Sequence, residues 1–102
     1  MNNFIEEIDE LTELLRNETS YVNVREMLKH KGFDNKEVIL VSLLESEECN
    51  EYGVFISKEK KVYQWIANTN NSKYDLLSFE EKTEDERFHN DCPQIKAGLK
   101  YY

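Results

Sequence analysis

At 102 residues the chain has room for one compact domain, and its length argues against two. Thirteen lysines and arginines face twenty-one aspartates and glutamates, a formal net charge of -8 that argues against a nucleic-acid binder, because docking on phosphate takes clustered cations. With 39% hydrophobic and 33% charged residues, the core must be small.

The opening residues, Met1 to Glu10, lack a basic start followed by an apolar run, so no secretory signal is read and a cytoplasmic location is expected. Apolar stretches such as Val38 to Val41 fall far short of the roughly 20 residues of a membrane helix. In a reducing compartment Cys49 and Cys92 are expected to remain free thiols.

Phe4, Ile5, Ile8, Leu11, Leu14 and Leu15 recur at three- and four-residue steps, the spacing of one helical face between Asn3 and Arg16. After the polar break Asn17 to Ser20, Val24, Met27 and Leu28 predict a second helix. Asn23 and Glu26 stand at capping-box spacing at its start, and Gly32 can end it in the left-handed conformation. Beyond Asp34 and Asn35 the chain turns β-branched and aromatic. Val38 to Leu44 reads as a strand buried on both faces, central in the sheet and covered by the helices. Tyr52 to Ser57 and Val62 to Ala67 read as hairpin arms around the charged Lys58 to Lys61 turn, and Asn68 to Ser72 returns the chain as a strand over Lys73 to Phe79. Near the end, Pro93 suits a first helical turn, whereas Ile95, Ala97, Leu99 and Tyr101 alternate as a strand does; the alternation favours a final strand. The expected architecture is a single α+β domain over residues 1–102, two N-terminal helices packed on an antiparallel meander of four or five strands.

Catalytic chemistry finds little footing. His30 fits the end of a helix, where a partly charged imidazole complements the dipole. His89 and Cys92 make an H-x-x-C pair with Asp91 between them. A structural zinc site takes four side chains and no second closely spaced pair exists, while acidic surroundings disfavour a thiolate. Ser46 to Glu51 lacks the glycine and aspartate spacing of a calcium loop. The glycines, at 32, 53 and 98, build no phosphate-cradling loop. The chain is therefore read as a non-enzyme with no cofactor and no metal.

The acids are concentrated. Residues 1–18, 45–51 and 80–86 hold fifteen of the twenty-one acids and two of the thirteen bases, leaving a mildly basic body. Such segments solubilise a small domain; they also suit a surface that meets a basic partner, with Glu6, Glu7, Glu10 and Glu13 on the first helix, Glu45, Glu47, Glu48 and Glu51 near the first hairpin connection, and Glu84 and Asp85 after the fourth strand as candidate contacts. In a strict meander the two loops lie at opposite ends of the sheet, so the first helix has to bridge them. Tyr63 and Trp65 share one side of their strand: on an outer face they are candidate interface anchors, on an inner face they are core.

The acidic α+β make-up, the amphipathic helical start and the hairpin N-E-Y-G-V-F-I-S-K-E-K-K-V-Y-Q-W from Asn50 to Trp65 resemble immunity proteins of bacterial polymorphic or contact-dependent toxin systems. That resemblance implies binding to one cognate toxin domain with a basic surface, often a nuclease, and blocking its active site, without direct contact to nucleic acid or membrane. A phage-encoded inhibitor that imitates nucleic acid (anti-CRISPR or anti-restriction), or a generic protein-interaction domain, is the alternative.

Overall fold

The computed structural model describes residues 3–70, 74–82 and 93–101. Helix α1 (Asn3–Asn17) and a short 3-10 turn (Thr19–Tyr21) lead into helix α2 (Val22–His30). Strands β1 (Ile39–Glu45), β2 (Asn50–Ile56), β3 (Val62–Asn68) and β4 (Asp75–Lys82) follow, and helix α3 (Pro93–Tyr101) closes the chain. The strands form one antiparallel sheet in the order β1-β2-β3-β4. Two N-terminal helices and a four-stranded meander are as the sequence predicts.

Three expectations are corrected. The last segment is helical: Ile95, Gly98 and Leu99 stand at helical spacing, and Gly98 lies so close to the sheet that a Cβ there would sit 2.6 Å from Ile56 Cδ1 and 3.0 Å from Val41 Cγ2. Asn23 caps nothing, because α2 begins one residue earlier and its N-cap position, Tyr21, makes no side-chain hydrogen bond. Strand β1 is buried on both faces only over Ile39 to Val41, with Leu44 exposed, and it is an edge strand and not a central one.

Burial at the edge has a specific cause. Helix α1 lies along β1, antiparallel to it, and supplies the partners that a neighbouring strand would have supplied. Thr12 Oγ1 accepts the Leu40 N–H at 3.0 Å in the interior, and the Arg16 guanidinium donates to the carbonyls of Asn35, Lys36 and Val38 at 3.1–3.3 Å. A covered edge cannot recruit a further strand. At the other side of the sheet β4 has β3 as its one strand neighbour among the described residues.

Because α1 straddles this edge, it feeds two cores on opposite faces of the sheet. On one face Leu15 joins Val24, Met27 and Leu28 of α2 against Leu40, Phe55, Trp65 and Ala67. On the other, Ile8 joins Ile95 and Ala97 of α3 against Ile39, Val41, Ile56 and Val62. The strand alternation read from the sequence, Phe55 on one side and Ile56 on the other, is what sends neighbouring residues to different cores.

Local chemistry sets the connections. Arg25 Nη1 donates to the Leu15 and Glu18 carbonyls at 2.8 and 2.7 Å, capping the end of α1. Gly32 takes a φ of 87°, and the pair of bonds from Phe33 N to Leu28 O and from Gly32 N to Lys29 O closes α2 as a Schellman motif. The hairpin turns Ser46–Cys49 and Ser57–Lys60 are built alike. Each opens on a serine whose Oγ accepts the N–H four residues on, and each ends in a left-handed residue, Cys49 (φ 63°) or Lys60 (φ 64°).

Candidate functional site

The exposed carboxylates fall into groups that the topology can locate. Glu6, Glu7, Glu10 and Glu13 are exposed on α1, and Glu45, Glu47 and Glu48 are exposed at the end of β1 and in the turn to β2. Arg16 is level with Val38 and Thr12 with Leu40, so the N-terminal half of α1 points toward the β1–β2 turn. These two acidic groups therefore share one end of the domain. Strand β4 runs the opposite way from β1 and β3, so Glu80, Glu81 and Lys82 lie at the far end, beside the β2–β3 turn. Glu84, Asp85, His89 and Cys92 lie outside the described residues. Cys49 is a free thiol.

Glu51 does not belong with the exposed acids. It sits on the α2 side of β2 with Gly53 and Phe55, where one carboxylate oxygen, Oε2, accepts both the Trp65 Nε1–H at 2.9 Å and the Tyr74 hydroxyl at 2.5 Å. Its place is that of an internal acceptor, as the indole N–H and a half-buried phenol both require one.

Tyr63 and Trp65 face inward as well. Trp65 has no exposed surface, so the surface-anchor alternative is excluded for it. Its ring lies directly over Gly53, its partner in β2, where a Cβ would stand 2.2 Å from the indole. Tyr63 is half-buried, stacked on Phe55 and Phe79 with centroids 5.0 and 5.7 Å away and met by the edge of Phe33 at 4.9 Å.

Three phenols are held above their usual range. For Tyr74 the causes are burial and then the hydrogen bond and charge of Glu51. Burial leads for Tyr63, followed by Glu81 and Glu59, and for Tyr21, followed by Glu51 and Glu18. A phenol pKa raised on folding stabilises the fold fully below about pH 10, and that stabilisation is lost as the pH climbs above it. The urea midpoint is expected to fall between pH 9 and 11, less steeply in Tyr74→Phe than in the parent chain. Parallel slopes for the two proteins would show that Tyr74 carries none of it.

The sequence offered no signal for the side of the sheet left uncovered at this same end. Leu44 is paired with Tyr52, Tyr52 with Ile66, and Ile66 with Ser78, so these residues form one row across all four strands on the α3 side. Leu44 is 66% exposed and Tyr52 37%. Leu77, in the irregularity of β4 beside Ser78, is 61% exposed.

Among the described residues no three or more of His, Cys, Asp and Glu gather to hold a metal ion, and no helix is long and apolar enough to cross a membrane. No family model, no curated protein and no solved structure matches the chain.

Proposed function

We propose that this chain is a non-catalytic inhibitor that binds the cationic surface of a basic protein, and that its partner is a bacterial toxin domain, so that the chain serves as the immunity protein against it. The observation that supports this reading is the state of the carboxylates at the β1–β2 end. Glu6, Glu7, Glu10, Glu45, Glu47 and Glu48 are exposed, and none has an ion-pair partner among the described residues. Carboxylates in water without a cation keep a negative potential that steers a basic partner in and rejects an acidic one. A nuclease has to present cations to phosphate, and such a surface can occupy them. The toxin identity itself stands on the likeness of the Asn50 to Trp65 hairpin and the acidic α+β make-up to immunity proteins.

The test is kinetic. Capture from the native host identifies the partner, and stopped-flow association is then compared for the parent chain, Glu7→Lys/Glu10→Lys/Glu13→Lys and Glu45→Lys/Glu47→Lys/Glu48→Lys. At low ionic strength the reversals are expected to slow association by about tenfold or more, an effect that added salt erases. Stability should change by no more than about 0.5 kcal/mol, as is usual for exposed positions. Association rates equal to the parent's at low salt would refute a charge-steered docking face. Toxicity of the identified partner unchanged by co-expression would refute the immunity role.

A further inference from the structure

We propose that the row Leu44, Tyr52 and Ile66, with Leu77 beside its β4 end, is a docking surface for an apolar protrusion ringed by lysine or arginine on another protein. This deepens the reading of a basic partner, on which it rests, by naming where that partner seats and what it must present.

Leu44, Tyr52 and Leu77 are exposed around the half-buried Ile66, in a chain with little apolar residue content to spare. This stripe is left bare because α3 covers the opposite half of the same face. Gly98 seats that helix against Ile39, Val41 and Ile56, at the β2–β3 turn end. The stripe lies one residue in from the β1–β2 turn, across the strands.

Charge decides the occupant. On the same face, β4 places Asp75 in the row on one side of the stripe, paired with Asn68, and Glu80 in the row on the other side, paired with Gln64. Both are exposed; Glu80 also pairs with Lys82 at 3.0 Å. Glu47 and Glu48 project from the adjoining turn. No lysine or arginine falls in these three rows among the described residues. An apolar centre within a polar rim is the anatomy of a specific interface, with Tyr52 the residue type that most often anchors one; here Asp75, Glu47 and Glu48 make that rim acidic toward the β1–β2 turn, while Glu80 on the other side is already paired with Lys82. A second copy of this chain would set carboxylates against carboxylates, so the fitting partner carries the opposite rim.

The experiment follows the backbone amides of the 15N-labelled full chain by NMR while short synthetic peptides are added. One alternates leucine and lysine, a second replaces each lysine by glutamate, a third replaces each lysine by serine, and a fourth contains lysine and serine alone. The leucine–lysine peptide is expected to shift Leu44, Tyr52, Ile66 and Leu77 together. In Leu44→Ser/Leu77→Ser, two exposed positions whose replacement is expected to leave the thermal transition in place, its affinity should drop by about tenfold. Shifts confined to α1, shifts of the row on concentrating the protein without peptide, no shift of the row with any peptide, or unchanged affinity in the double variant would each overturn the proposal. Two results separate it from the broader reading. If the lysine–serine peptide shifts the α1 and turn acids while the row stays silent with every peptide, the basic partner stands and this surface falls. If the leucine–serine peptide binds the row as tightly as the leucine–lysine one, the apolar surface stands and the basic partner falls.

Discussion

Replacing Trp65 with alanine is expected to lower the stability of the fold by about 3–5 kcal/mol, the usual cost of truncating a buried large aromatic residue. That is a large share of the roughly 5–15 kcal/mol that holds a domain of ordinary stability together. Three effects combine at this position. The indole is fully buried against Phe55, with centroids 6.0 Å apart, so its loss opens a cavity on the α2 side of the sheet. Its Nε1–H is one of the two donors to Glu51 Oε2, so a half-buried carboxylate loses a partner. Its ring also fills the space above Gly53. Urea denaturation measures the total, and Trp65→Phe, which keeps much of the ring and deletes the N–H, should lose clearly less. Gly53→Ala supplies the complementary check. In the parent chain the added methyl would collide with the indole and destabilise by about 1–3 kcal/mol, as overpacking does. In the Trp65→Ala background it has room, and the two effects should be strongly non-additive. Simple additivity would show that the ring does not sit over Gly53.

Replacing Thr12 with valine is expected to cost about 1–3 kcal/mol, although the two side chains have nearly the same shape. Thr12 is 3% exposed, and its hydroxyl oxygen is the acceptor for the Leu40 N–H on the outer side of β1. Valine leaves that buried donor without an acceptor. Thr12→Ser keeps the oxygen and should lose less. Hydrogen exchange at Leu40 supplies a second readout: its amide should exchange faster in Thr12→Val, with the β2–β3 amides affected only through global stability. A valine variant as stable as the parent would remove Thr12 as a partner of the β1 edge.

Both predictions concern features that the sequence only half discloses. The amphipathic spacing of α1, the alternation along β2 and β3, the left-handed glycine after α2 and the charged turn between the hairpin arms are legible because each depends on residues within a few positions of one another. The polar residue on the apolar side of α1, Thr12, carried no such signal. Its meaning depends on Leu40, 28 residues away. Arg16 likewise reads as the lone base among acids, whereas it closes the carbonyls leading into β1. The paired serines at 46 and 57, each followed three residues later by the left-handed Cys49 or Lys60, were a readable turn signal hidden by non-glycine residues at those positions.

The same division holds for the candidate site. Where the acids cluster along the chain is a property of the sequence, and so is the net charge of -8. Which of them face solvent was decided by tertiary structure: Glu51, drawn from the same acidic run as Glu47 and Glu48, became the acceptor for Trp65 and Tyr74 because residue 51 falls on the α2 side of β2. Alternation assigns Tyr63 and Trp65 to one side, and Tyr52 to the other side in its own strand, without saying which side a helix will cover.

That last choice was made by α3. Residues 95 to 101 alternate like a strand and also carry the helical set Ile95, Gly98 and Leu99, so local pattern leaves both conformations open. The helix prevails because Gly98 allows its backbone to approach Ile39, Val41 and Ile56, burying Ile95 and Ala97 on a face that α1 and β1 had already half enclosed. By itself the sequence determined the α+β class, the meander and the three acidic segments, all set by short-range periodicity and composition. Only the tertiary structure decided that β1 lies at an edge met by α1, that the aromatic pair is core, and that Leu44, Tyr52 and Leu77 stand exposed, because each of these depends on groups brought together across the chain by packing.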